Sequence, residues 1–272
     1  MARVETRDGI GLYAEAHGDG VPVVLSCGLC TTSENWRPNV APLVAAGLRV
    51  VLWDYRGHGR SDAPDDAAAY SLAHVVDDLA RVLEWAAPAE EAVVGGLSFG
   101  GLASLHLALT RPELVRALLL IDTGPGFKNP KAQARWQAMV ERTASLAETK
   151  GMRAFVDSKA SATAIGQYPE RPAQRAAADA IAAQVPHGIA HFARHIAGPA
   201  DPVIDELKQI DFPSLVLVGE RDEGYLAAAE VMQSRLPHAT RVTIPSAGHL
   251  VNLDEPAAFE AAVIDFVRGL TG

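Results

Sequence analysis

A serine, an aspartate and a histidine stand just past three strand-like runs, and those three types together can break an acyl bond. The first lies in Val94-Gly95-Gly96-Leu97-Ser98-Phe99-Gly100-Gly101. Ala92-Val93-Val94 leads into it as a short apolar, β-branched run. Leu102, Leu105, Leu107, Ala108 and Leu109 follow with the spacing of an apolar helix face. Ser98 therefore sits where a strand meets a helix, among glycines suited to sharp bends and close packing. The second run, Val216-Leu217-Val218-Gly219-Glu220-Arg221-Asp222, ends in an acid. The third, Ile244-Pro245-Ser246-Ala247-Gly248-His249, places a histidine before the last helix. In a parallel sheet all three share the carboxyl edge, where open α/β sheets carry their sites.

A serine hydroxyl is a poor nucleophile until a base takes its proton. A neutral imidazole can be that base, and a carboxylate on its other nitrogen holds the tautomer and steadies the imidazolium. Phe99 opens the helix behind Ser98, so its N–H is expected to face the developing oxyanion. The expected catalytic residues are Ser98, Asp222 and His249. Asp122, after the run Ala117–Ile121, is a rival acid whose other reading is a turn residue before Thr123-Gly124-Pro125-Gly126.

The elements that must position these groups alternate. Strand-like runs at Val4–Thr6, Leu12–Ala16, Val23–Ser26, Val50–Leu52, Ala92–Gly95, Ala117–Ile121, Ser214–Gly219 and Arg241–Ile244 are separated mostly by helical patterns. Helices are expected at Glu34–Ala46, Ser71–Ala86, Leu226–Leu236 and Pro256–Leu270. This predicts an α/β fold with a mostly parallel eight-stranded sheet flanked by helices. Between Ile121 and Ser214 the rhythm changes to helix, with candidates at Pro130–Thr149, Gly151–Ser158, Arg171–Ala183 and Gly188–Ala197. The expected organisation is a core of residues 1–126 and 206–272, with a helical cap of residues 127–205 inserted after the sixth strand.

Of 272 residues, 49% are apolar, enough for one large core, and the formal charge is −9. That sign argues against nucleic acid and anionic membranes as partners. The first residues hold no apolar stretch of secretory length, and no run approaches a membrane span, so a cytoplasmic location is expected. Cys27 and Cys30 form a Cys-x-x-Cys, but no second pair completes a zinc set. His187, His191 and His195 share one helix face and read mainly as helix packing. No metal and no organic cofactor are expected.

The chain resembles the α/β-hydrolase superfamily nearly end to end. The similarity rests on Asp54-Tyr55-Arg56-Gly57-His58-Gly59-Arg60-Ser61-Asp62, on Gly96-Leu97-Ser98-Phe99-Gly100-Gly101, on Gly219-Glu220-Arg221-Asp222, and on Gly248-His249-Leu250-Val251-Asn252-Leu253-Asp254-Glu255-Pro256. It implies a serine hydrolase whose substrate is a small carboxylic ester, with a lactone or a ring-cleavage ketone as alternatives and a ligand receptor as a remote one. A serine nucleophile, rather than aspartate, disfavours haloalkane and epoxide cleavage. The family's arrangement favours Asp222 over Asp122 and implies a second oxyanion amide from Leu29, or less directly from Cys30. Cys27 stands where relatives often carry histidine. Cys30, Trp36, Trp136 and Leu250 are the expected substrate-binding residues, with core packing as the other reading of Trp36.

Overall fold

The computed structural model describes residues 2–270. Its eight strands are β1 (Ala2–Glu5), β2 (Gly11–His17), β3 (Val21–Ser26), β4 (Leu48–Trp53), β5 (Ala92–Leu97), β6 (Val115–Ile121), β7 (Ser214–Gly219) and β8 (Ala239–Ile244). They form one sheet in the order β1-β2-β4-β3-β5-β6-β7-β8. The pairs β1–β2 and β2–β4 are antiparallel, and every other pair is parallel. β5 and β7 are buried along their whole length, as strands covered on both faces must be.

The register sets the site. Ser26 pairs with Gly96, Leu97 with Ile121, and Gly219 with Ile244, so these strands end on one rim. β3 has β4 on one side and β5 on the other. The chain thus reverses its order between β3 and β5.

The region between β6 and β7 is helical, as the sequence predicts. Its long helix, Pro130–Val156, is interrupted at Gly151, whose φ of 78° and ψ of 169° are not helical. Helices Ala162–Ile165, Pro172–Ala182 and Pro186–Phe192 follow, and a π-helical turn spans Ala193–Ala197. The last helix starts at Pro186, earlier than Gly188, because proline's fixed φ suits a first turn. The helix expected at Glu34–Ala46 is divided into a 3-10 turn, Ser33–Trp36, and an α-helix, Arg37–Ala45, with Pro38 opening the second piece.

Side chains fasten this region to the rim. Gln184 Nε2 donates to the Cys30 carbonyl at 2.7 Å and its Oε1 accepts from Gly59 N–H at 3.0 Å. Gln167 Nε2 donates to Asp254 Oδ2 and to the Ser246 carbonyl, both at 3.0 Å. His187, His191 and His195 line up with ring centroids 6.1 and 5.8 Å apart. The first two bond the Ala63 and Asp65 carbonyls. Among the described residues no group of three or more His, Cys, Asp and Glu side chains is placed to hold a metal ion. Among the described residues no helix is long and apolar enough to cross a membrane.

The loop after β4 is anchored by a buried cation. Arg56 forks onto Asp78, with Nε to Oδ2 and Nη2 to Oδ1 both at 2.7 Å, and its Nη1 reaches Asp8 Oδ2 at 2.8 Å. Removing one partner strands the other's charge in the interior, which costs far more than replacing the pair. Arg56→Met is expected to lower the unfolding free energy by about 3–5 kcal/mol in urea titrations. Adding Asp78→Leu to it should recover most of that loss; a double variant no better than the single would refute the account.

Candidate active site

Ser98 has φ 54° and ψ −116° at the start of helix Phe99–Thr110. That conformation is costly for a residue with a Cβ, and the surroundings enforce it. Ser98 N–H donates to the Ile121 carbonyl at 2.9 Å, and the Thr123 hydroxyl donates to the Ser98 carbonyl. Glycine at position 100 is required by packing: a Cβ there would lie 2.7 Å from the carbonyl oxygens of Ser26 and Cys27. The elbow is therefore pressed backbone to backbone against the end of β3.

His249 Nδ1 lies 2.7 Å from Asp222 Oδ2. Asp222 N–H donates to the Gly219 carbonyl at 3.0 Å, holding the acid just past β7. Asp122 does not reach His249. It is fully buried behind Asp222, with Oδ1 accepting from Gly219 N–H at 2.8 Å and Oδ2 from Val251 N–H at 3.3 Å. It thus clips together the loops that carry Asp222 and His249. Burial, and then the neighbouring Asp222, push its carboxyl well above the usual range. Asp254, also buried, accepts from Gly248 N–H at 2.9 Å and fixes the histidine loop from its other side.

Ser98 Oγ has an unexpected neighbour. Tyr225 Oη is 3.5 Å away, and the Tyr225 ring stacks on His249 at 4.8 Å and 30°. Among the described residues no hydrogen bond joins Ser98 to His249. Burial raises the Tyr225 phenol to about 12, so it stays a neutral donor. The sequence held a signal for it: three residues after Asp222, in the first turn of helix Glu223–Arg235, a side chain falls on the acid's side of the helix.

The turn after β3 supplies amides. Cys30, at φ 68°, spends its N–H on His58 Nε2 at 3.3 Å. Gly28 N–H goes to Thr31 Oγ1 at 2.8 Å. Leu29 N–H makes no hydrogen bond among the described residues, and Phe99 N–H, at the first position of its helix, lacks an intrahelical partner. The turn has its support without a histidine at position 27: Tyr55 Oη donates to the Cys27 carbonyl at 3.1 Å, and Gln184 holds the Cys30 carbonyl. Cys27 and Cys30 are unpaired and buried, and burial pushes both thiols up, that of Cys30 to about 12.

A cavity of about 70 Å³ opens beside Ser98, walled by Phe99, Leu102, Phe127, Trp136 and Tyr225. Of the expected substrate-binding residues, Trp136 lines it. Trp36, Cys30 and Leu250 do not. Trp36 is buried against Phe259, with centroids 5.9 Å apart, because the helix that follows it, Arg37–Ala45, packs on the C-terminal one. The Cys30 side chain lies in an apolar cluster with Met152, Phe155 and Ile165, and Leu250 is wholly in the core.

Two outcomes follow from this geometry. Since glycine tolerates the φ of 54° at position 98, Ser98→Gly should be more stable than Ser98→Ala by about 1 kcal/mol; equal denaturation midpoints would remove the claim of strain. His58 is buried and its imidazole is driven down to about 4. It stays neutral in the fold while the unfolded chain takes a proton near pH 6.5, so its contribution is complete above that pH and lost as pH falls from there towards 4. Relative to His58→Gln, wild type should lose about 3 kcal/mol between pH 7 and pH 4. Parallel stability curves for the two proteins would contradict it.

The model of the alpha/beta hydrolase fold family matches residues 21–256. A relative from Variovorax paradoxus bearing the name "Putative carbamate hydrolase RutD" is 30% identical, over 94% of this chain and 96% of its own. A thermophilic esterase from Thermogutta terrifontis superposes with a TM-score of 0.84 at 25% identity, covering 99% of this chain and 98% of that one. The enol-lactonase from Burkholderia xenovorans LB400 gives 0.82 at 26% identity, covering 97% and 98%. With the family's pattern spanning most of the chain, an eight-stranded sheet of the expected topology and curated relatives along nearly its full length, the protein belongs to the α/β-hydrolase family.

Proposed function

We propose that the chain is a serine hydrolase of small carboxylic esters working through an acyl-enzyme. The observation that carries this reading is the Asp222–His249 pair at 2.7 Å on the same rim as a serine held at a strained elbow. Ser98 Oγ leaves Tyr225, turns to His249 and attacks the carbonyl carbon as His249 takes its proton. Reactive hydrogen bonds are often loose before substrate binds. The oxyanion forms between the amides of Phe99 and Leu29. The tetrahedral adduct collapses, the C–O bond to the alcohol breaks, and His249 returns the proton to the departing alkoxide. Water then attacks the Ser98 ester by the same route in reverse. Asp222 orients His249 through its 2.7 Å contact with Nδ1, while Asp122, whose carboxyl burial pushes well above the usual range, holds the two loops behind it. The narrow cavity favours a compact acyl group.

Lactones are the second reading, favoured by the likeness to the enol-lactonase. They present the same carbonyl, and the alcohol simply stays tethered. Ser98→Ala should lower kcat on p-nitrophenyl acetate by about 10⁴-fold or more, with the fold intact by circular dichroism. An unreduced rate would remove the mechanism. Running esters, lactones and carbamates side by side on wild type and Ser98→Ala separates the substrate readings.

A further inference from the structure

The Tyr225 hydroxyl lies at the reacting centre with no part in the acyl-enzyme cycle. Tyr225 stands in the first turn of helix Glu223–Arg235, and its N–H donates to the Asp222 carbonyl at 2.9 Å. The turn that carries the acid therefore also carries the phenol. The ring stacks on His249 at 4.8 Å and 30°, and the side chain lines the cavity beside Ser98. Among the described residues its Oη has one hydrogen-bond partner, Ser98 Oγ at 3.5 Å. That partner is lost when Ser98 turns to His249. Burial holds the phenol at about 12, so it keeps its proton near neutrality. A desolvated donor is then left beside the reacting atoms without an acceptor. Such a donor is costly, and it gains most from an oxygen that is acquiring negative charge.

Two oxygens acquire such charge during acylation. One is the carbonyl oxygen, assigned to the Phe99 and Leu29 amides. The other is the alcohol oxygen, which in the tetrahedral adduct is two bonds from Ser98 Oγ. It must also come within reach of His249, which protonates it. Tyr225 meets the same two conditions, with its Oη near Ser98 Oγ and its ring on the imidazole. We infer that Tyr225 is a further catalytic residue, donating a hydrogen bond to the alcohol oxygen as it departs. As the C–O bond breaks, its electron pair passes to that oxygen and His249 gives it a proton; Tyr225 keeps its own proton throughout. The inference rests on the ester-hydrolase reading and deepens it: the site is built for alkyl esters and lactones, whose alkoxides leave poorly without help, rather than for activated aryl esters.

The test compares two esters that share an acyl group and differ in departure. p-Nitrophenolate leaves p-nitrophenyl acetate unaided, whereas ethoxide needs help to leave ethyl acetate. Tyr225→Phe removes one oxygen and keeps the ring on His249, with the fold checked by circular dichroism. In this variant kcat/KM should fall about tenfold more on ethyl acetate than on p-nitrophenyl acetate. A role in packing, or in orienting Ser98, moves both esters alike. Equal falls, however large, therefore overturn the inference. So do unchanged rates on both, or a wild-type protein that cleaves the aryl ester alone. Each of these leaves Ser98-dependent ester hydrolysis standing; no Ser98-dependent cleavage of either ester removes the functional reading and this inference with it.

Discussion

The rim is organised by one close approach, the backbone of the serine elbow against the backbone that leaves β3. With β3 and β5 paired at Ser26 and Gly96, the two strands end together and their turns must occupy the same space. Only a residue without Cβ at position 100 lets Ser26 and Cys27 carbonyls come so near, and a Cβ at position 28 would itself meet the Ser98 Cβ at 3.4 Å. The contact sets Ser98 against the turn that begins at Gly28, so the serine and that turn are placed by the same packing. Loosening it would move the hydroxyl and the amides at once.

Behind this rim, burial decides which groups carry charge. Asp122 and His58 are both sealed from water, and desolvation drives the first up and the second down, so both favour their neutral forms. Neutral His58 can accept the Cys30 N–H, and buried Asp122 can join two loops. Arg56 is the contrast: a cation buried with two carboxylates and a bidentate geometry, holding the loop that carries His58.

The helical region is joined to the sheet through amide side chains more than through charge. Gln184 spans the β3 and β4 loops, Gln167 grips Asp254 and Ser246, and Gln174 donates to the Leu253 carbonyl at 2.9 Å. Each partner lies in a segment that follows the carboxyl end of β3, β4 or β8. Movement of these helices would therefore bear on the amide turn and the histidine loop together.

That Ser98, Asp222 and His249 would fall on one rim was legible in the sequence, because each follows a short apolar run and parallel strands bring their ends to one edge whatever the intervening length. The helical region after β6 was legible from composition, and its break at Gly151 fell where glycine interrupts the pattern. Trp36 took the core-packing reading and Leu250, expected at the substrate, lies in the core, because an apolar side chain beside a site packs equally well inward and only its neighbours in space decide. Tyr225 could not be assigned from the chain alone, since its meaning lies in a 3.5 Å approach to Ser98. Local sequence determined strand ends, turns and residue chemistry, which depend on neighbours along the chain. Tertiary structure decided which carboxylate reaches the imidazole, which amides stay free and which side chains face the cavity, because those depend on distances between segments a hundred residues apart.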